Sequence, residues 1–288
     1  MRRAFALLIA VGSLMFFGCQ PGGGIRAKEV AYAELDGGKT LSMDIYQPPA
    51  AGTSLRPAVV MFHGGAWREG SRADCKQAGQ WLASRGYVAC AVSYRLVTPQ
   101  ANHWPDQIND AQRAVRWLRA HAAEYQIDPE RIGAFGSSAG GHLSACLGTM
   151  DTLDNSDPAL AGFSSRVNCV VDHCGPTDLT EDMIGKVPQG AWCNQVIREL
   201  LGGKPELARS ASPLFQVTPK SAPFLIFHGR KDDIVPFEQS ERMVAALKTA
   251  GVSVDLIAHN GGHDFGSGEE TKNFLTKTET FLKTHLRP

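Results

Sequence analysis

Residues 58–62 (AVVMF) form an apolar run with no polar break, and residues 87–94 (YVACAVSY) come close to repeating it. A strand covered on one face alternates apolar and polar side chains; a continuous run needs cover on both faces. This constrains the chain more than any other feature, because a sheet covered on both sides needs helices between its strands. The intervening sequence supplies them. Residues 73–85 read as a helix with Gly86 as its C-terminal stop. Over residues 108–125, Ile108, Ala111, Val115, Leu118 and Ala122 recur at three- and four-residue steps, with Arg113, Arg116 and Arg119 elsewhere on the surface. Asp128-Pro129 marks a turn before a short strand at 132–135 and a helix over 139–150. Further strands are expected at 167–172, 224–227 and 252–258, and further helices at 238–250 and 270–285. A hairpin of 30–35 and 41–46 precedes them all. The sum is an α/β fold: an eight-stranded, mostly parallel sheet flanked by helices, with right-handed crossovers. Residues 175–219 break the rhythm, carry several prolines and glycines, and are too long for an ordinary connection. They read as a small lid inserted after the sixth strand.

Chemistry gathers at the expected strand ends. Gly136-Ser137-Ser138-Ala139-Gly140 fits G-x-S-x-G between a short strand and a helix. Such a turn holds its central serine in a strained backbone conformation with the hydroxyl exposed above the sheet. The helix N-terminus behind it adds positive potential where an oxyanion would develop. His63-Gly64-Gly65-Ala66-Trp67 follows the third strand, and its glycines leave backbone N–H groups free to face that oxyanion. Gly64, Gly65 and Ala139 are therefore the expected donors, and His63 a brace for the loop. His228-Gly-Arg-Lys-Asp232-Asp233-Ile-Val-Pro236 follows the seventh strand, and Asn260-Gly-Gly-His263-Asp264-Phe265 the eighth. An acid beyond one strand can reach a histidine beyond the next, fixing its tautomer as it takes the proton of Ser138. Trp67, Trp104, Trp192 and Phe265 are candidate substrate walls, since aromatic faces suit sugars or aromatic acyl groups. His142 is expected to pack or hydrogen-bond locally, and Asp178 to be structural.

In this order and spacing, HGGAW, GSSAG, HGRKDDIVP and GGHDF resemble the α/β-hydrolase superfamily. Within it they are similar to the esterase/lipase branch, which includes hormone-sensitive-lipase-like enzymes and the BD-FAE type of acetylxylan and feruloyl esterases. Ser93-Tyr-Arg95, the stretch from Asp110 to Arg119, residues 127–132 and Gly175-Pro-Thr-Asp-Leu179 carry the same resemblance. It covers residues 30–288, nearly the whole chain. It implies an α/β-hydrolase fold and a serine ester hydrolase with Ser138, Asp232 and His263 as its triad and no cofactor. Asp232 is preferred to Asp233 because the family pattern places the acid four residues after His228. HGGAW departs from the commoner HGGGW but keeps its first two glycines, and Asp264 stands where glycine is frequent. The implied substrate is a carbohydrate-linked ester, acetyl or feruloyl, or a small carboxylester. An arylformamidase, a peptidase-like hydrolase and a non-catalytic binding protein on the same fold are the alternatives.

Residues 1–19 read differently from the rest. Met1-Arg2-Arg3 precedes an almost unbroken apolar run ending at Gly18-Cys19, shorter than the roughly 20 residues a membrane-spanning helix needs. It fits an export signal, and the placement of Cys19 resembles a lipoprotein signal in which that cysteine becomes the lipid anchor. Residues 20–29 then form a linker. Export makes disulfides possible among Cys75, Cys90, Cys146, Cys169, Cys174 and Cys193. Cys90, Cys146 and Cys169 lie in apolar stretches and are expected as buried thiols. No Cys/His spacing suits zinc, so no metal is expected. Lysine plus arginine equals aspartate plus glutamate, 29 each, which argues against nucleic acid and for a small or neutral partner; the resemblance implies a small-molecule or oligosaccharide ester as substrate.

Overall fold

The computed structural model describes residues 24–287 apart from 36, 50–53, 185 and 187. The expected signal at 1–19, with Cys19, and the first part of the linker lie outside the described residues. An eight-stranded sheet runs in the order β1-β2-β4-β3-β5-β6-β7-β8. β1 (Ala27–Leu35) and β2 (Lys39–Tyr46) form an antiparallel hairpin, and β2 pairs antiparallel with β4 (Val88–Val92). From β4 onward the pairing is parallel, through β3 (Arg56–Phe62), β5 (Ile127–Ser137), β6 (Val170–His173), β7 (Phe224–Gly229) and β8 (Val254–His259).

The unbroken apolar runs have the expected cause. In β3, Ala58, Val60 and Phe62 enter one core, while Val59 and Met61 enter the other. β4 divides likewise, Val88, Cys90 and Val92 against Ala89 and Ala91, as the two-residue side-chain period of a strand requires. The first core lies beneath α2 (Asp106–Ala120), α3 (Ala139–Thr149) and α6 (Phe237–Thr249); the second lies beneath α1 (Lys76–Ala83) and α7 (Gly268–Leu286). Each fully buried Val, Met or Phe contributes roughly 1.5–3 kcal/mol, so the layers hold the strand ends firmly in place.

Two local expectations change. The turn at Asp128-Pro129 lies inside β5, which begins at Ile127. There β5 pairs with Arg56, skips register, and resumes at Ala58–Ile132, while Asp128 Oδ1 accepts the Glu130 N–H. The turn is thus a bulge, suited to a proline that cannot donate to the ladder. Arg116, expected at the surface, is buried. Its guanidinium donates to the carbonyls of Leu160, Phe163 and Asp154, so it pins the 151–165 loop to α2. Residues 175–219 contain α4 (Glu181–Ile184), α5 (Gly190–Leu200) and two 3-10 turns, Pro205–Leu207 and Pro213–Gln216. None of the six cysteines among the described residues is paired, and all six are buried.

Candidate active site

The carboxyl ends of the parallel strands all point to one edge, where ligands bind in open α/β sheets. His63 follows β3, Ser138 follows β5, Cys174 follows β6, Asp232 lies beyond β7 and His263 beyond β8.

The turn around Ser138 is built by close approach. A Cβ on Gly136 would lie 2.1 Å from the Gly140 carbonyl oxygen, and one on Gly140 would lie 2.0 Å from that of Phe62. Only glycine permits strand, turn and helix to meet so closely. Ser138 itself has φ 55° and ψ −120°, a conformation that costs about 1–3 kcal/mol and lifts its side chain off the strand.

Ser138 Oγ lies 2.9 Å from His263 Nε2, and His263 Nδ1 lies 2.6 Å from Asp232 Oδ2. A carboxylate only accepts, so Nδ1 carries the proton and Nε2 is left to receive the Ser138 hydroxyl. Asp232 accepts four donors in all. His228 Nε2 reaches Oδ2 at 3.1 Å, and the Ile234 and Val235 N–H groups reach Oδ1 at 2.9 and 2.8 Å. Burial opposes its ionisation, but the hydrogen bonds from His228 and His263 outweigh burial and hold its carboxyl well below the usual range. His263 moves the other way. Burial disfavours the imidazolium, yet the Cys174 sulfur and the Asp232 carboxylate raise it well above an ordinary histidine. Since burial also pushes the Cys174 thiol up, that sulfur stays neutral, and the Asp232 carboxylate is the charge that favours the imidazolium. Asp233, the other acid considered, is exposed, with no part in this relay.

Ser138 opens into a cavity of about 400 Å³. Gly64, Gly65 and Ala139, the expected oxyanion donors, line it beside the nucleophile, and a Cβ on Gly64 would lie 3.4 Å from Ser138 Cβ. The loop is strained on behalf of this approach, since Ala66 and Trp67 have φ 51° and 59°. His63 braces it: Nδ1 contacts the Gly64 carbonyl at 2.7 Å, and its ring stacks on Tyr94 with centroids 4.3 Å apart. Trp67, Trp192 and Phe265 line the cavity, with Trp192 carried there by α5.

Trp104 needs correction, because it is not among the lining residues. It is buried, with its ring 5.6 Å from that of His142 and its backbone N–H bonded to the Leu200 carbonyl at the end of α5. His142 packs against the Trp67 and Trp104 rings, as expected, with Nε2 2.8 Å from the Ala211 carbonyl oxygen, and burial lowers its pKa to about 4. Asp178 sits away from the relay in an ion pair with Arg242 at 2.5 Å. Asp264 turns one oxygen to the Gly266 N–H at 2.7 Å. Cys174, Asp232 and His263 offer ligand atoms within 4.8 Å of one another, but Asp232 and His263 are engaged with each other and the thiol is held neutral. The set is hydrogen-bonded and not preformed for a metal.

The sequence reading missed His228, Ser137, His173 and Cys174 as neighbours of the relay. The first signal was available: His228 stands four residues before Asp232, at the end of an apolar strand.

The chain is similar to proteins named as ester hydrolases. The chain is 30% identical over 224 residues to the probable carboxylic ester hydrolase LipM of Mycobacterium tuberculosis, covering 76% of this chain and 51% of that one. It spans about half the length of the curated relatives it matches. Esterase 2 of Thermogutta terrifontis, phosphonylated by sarin, superposes with a TM-score of 0.79 at 31% identity, over 94% of this chain and 99% of that one. An acetyl ester-xyloside bifunctional hydrolase from Caldicellulosiruptor lactoaceticus gives a TM-score of 0.78 at 25% identity, over 91% and 98%. The BD-FAE family model matches residues 43–247, and the chain belongs to that family.

Proposed function

We propose that this protein is a serine carboxylic-ester hydrolase that works by two-step acyl transfer. The observation that carries the proposal is the continuous relay from Ser138 Oγ through His263 to Asp232, open to a cavity of about 400 Å³. His263 Nε2 takes the Ser138 proton as Oγ attacks the ester carbonyl, and Asp232 stabilises the imidazolium. The Gly64, Gly65 and Ala139 amides face the developing oxyanion, where one such donor is worth about 3–4 kcal/mol. His263 then protonates the departing alcohol and activates the water that releases the acid. The cavity has an apolar side made by Trp192, Val196, Ile197, Ile234 and Val235. That side suits the acyl group, and the alcohol leaves through the open mouth.

The substrate we favour is an acetylated or feruloylated carbohydrate, or a small carboxylester. The Caldicellulosiruptor neighbour, an acetyl ester-xyloside hydrolase, supports the first choice. The apolar run before Cys19 supports an exported protein held at a membrane by a lipid on that cysteine. The test is hydrolysis of p-nitrophenyl acetate by the protein from Gln20 onward beside its Ser138→Ala variant, followed by acyl-chain and acetylxylan panels. Serine-dependent turnover supports the proposal; equal background rates, with no organophosphate labelling at Ser138, would leave a binding protein on this fold.

A further inference from the structure

One imidazole touches the neighbours of both reacting residues. His173 ends β6, lines the cavity beside Ser138, and is 2% exposed. Its backbone carbonyl accepts the Ser138 N–H at 2.8 Å. Its ring reaches the residue before the nucleophile, with Nδ1 2.8 Å from Ser137 Oγ. On its other side the ring reaches the residue after the base, with Nε2 2.9 Å from the Asp264 carbonyl oxygen. The tautomer follows from the partners. A carbonyl only accepts, so Nε2 carries the proton; Nδ1 is then the acceptor, and Ser137 must donate. Burial agrees, since it keeps this ring neutral and leaves it one proton to give. Phe265 stacks on the same ring with centroids 3.7 Å apart and planes at 14°.

From this geometry we propose that His173, with its tautomer set by the Asp264 carbonyl, is a positioning residue that ties the nucleophile turn to the base loop. The loop needs such a tie. It carries Gly261, Gly262 and Gly266 around His263, and it leaves Asn260 and Asp264 exposed. Its ends are tied by the Lys231 N–H to the Gly261 carbonyl and by Thr271 Oγ1 to the Phe265 carbonyl, and on the side of the nucleophile turn His173 grips both a carbonyl and an aromatic face within two residues of the base. Holding residue 264 at a fixed distance from residues 137 and 138 sets the 2.9 Å approach of His263 to Ser138. Both ring nitrogens are engaged by protein partners, so the ring has no hydrogen bond to offer a substrate, and the contribution falls on turnover and not on substrate binding.

The proposal rests on the esterase reading, and the experiment separates the two. Turnover of p-nitrophenyl acetate is measured for the wild type, His173→Phe, His173→Gln and Ser137→Ala, with thermal unfolding of each. His173→Phe keeps a stacking ring and loses both hydrogen bonds; His173→Gln restores a donor near Nε2. A misplaced base costs up to about a hundredfold, so His173→Phe is expected to lose about ten- to a hundredfold in kcat with KM within about threefold. His173→Gln should recover most of that loss, and Ser137→Ala should lose less than His173→Phe. Absence of wild-type turnover sinks the esterase reading. Wild-type turnover with an unchanged kcat in folded His173→Phe overturns the positioning role, as does a loss confined to KM. Should His173→Phe fail to fold, His173→Gln and Ser137→Ala decide: kcat equal to wild type in Ser137→Ala and a Gln variant as inactive as an unfolded one overturn it.

Discussion

The nucleophile turn and the base loop lie side by side and are held by different forces. Around Ser138 the backbone is packed: Gly136 and Gly140 admit no Cβ, the residues on either side of the turn are buried, and strain in Ser138 is balanced by the cores beneath. Around His263 the chain is half-exposed and rich in glycine; one face packs on Gly229, where a Cβ would lie 2.1 Å from the Gly262 carbonyl oxygen, and hydrogen bonds hold the rest. Packing fails by unfolding, because close-packed interiors do not deform gradually. Directional hydrogen bonds fail by misalignment, which a folded protein survives. Substitutions at the turn should therefore reduce stability, and substitutions at the relay should reduce turnover first.

The largest effect expected on the relay side comes from Asp232→Asn. An amide can present a donor to His263 and leave it in the wrong tautomer, which costs about 10⁴-fold in kcat in a comparable triad. The variant should still unfold cooperatively. A kcat within tenfold of wild type would remove Asp232 from the relay, and the comparison with it. On the turn side, Gly140→Ala sets a methyl 2.0 Å from the Phe62 carbonyl oxygen, so backbone must move. Overpacking of this kind costs about 1–3 kcal/mol or more, readable as a lower urea midpoint with unchanged slope. A stable, inactive Gly140→Ala protein would break the distinction, since the turn would then fail by misalignment too.

Most of this division was legible in the sequence. The unbroken runs in β3 and β4 announced a sheet covered on both faces, and the glycines flanking Ser138 announced a tight turn between strand and helix. The reasons are local: side-chain period and glycine sterics act within a few residues. What was not legible depended on contacts between distant segments. Trp104 looks like a cavity wall because it lies near a sheet edge, yet its ring is buried against His142 of α3. Arg116 looks like a surface arginine until the 151–165 loop folds over it and offers carbonyls. The His173 ring meets residues 36 positions before it and 91 after it, a pairing that no periodicity encodes.

The pH profile sharpens the comparison on a smaller scale. His263 must be neutral to accept the Ser138 proton, so kcat/KM should fall as pH drops through its pKa. Pairing with Asp232 raises that pKa, so the acid limb should lie above the ordinary histidine value of about 6.5. In Asp232→Asn the charge is gone and the limb should move to lower pH, while in Gly140→Ala, where the relay is untouched, it should stay in place. An acid limb that moves equally in both variants would mean that turn and loop are one mechanical unit.

The smallest effect is expected at Asp233, and it tests how local the relay is. Asp233 is exposed and adjacent to an acid that accepts four donors. Its charge faces water, where screening leaves little influence on a neighbour. Asp233→Asn should therefore keep kcat within about twofold and stability within about 0.5 kcal/mol of wild type. Its backbone carbonyl, which accepts the Gln189 N–H at 3.3 Å, survives the substitution, so the tie to the segment before α5 is kept. A tenfold loss of kcat in Asp233→Asn, beside a mild Asp232→Asn, would exchange the roles of the two acids. The hydrogen-bonded half of the site would then extend to the surface, and the base loop would owe its alignment to a solvent-exposed charge.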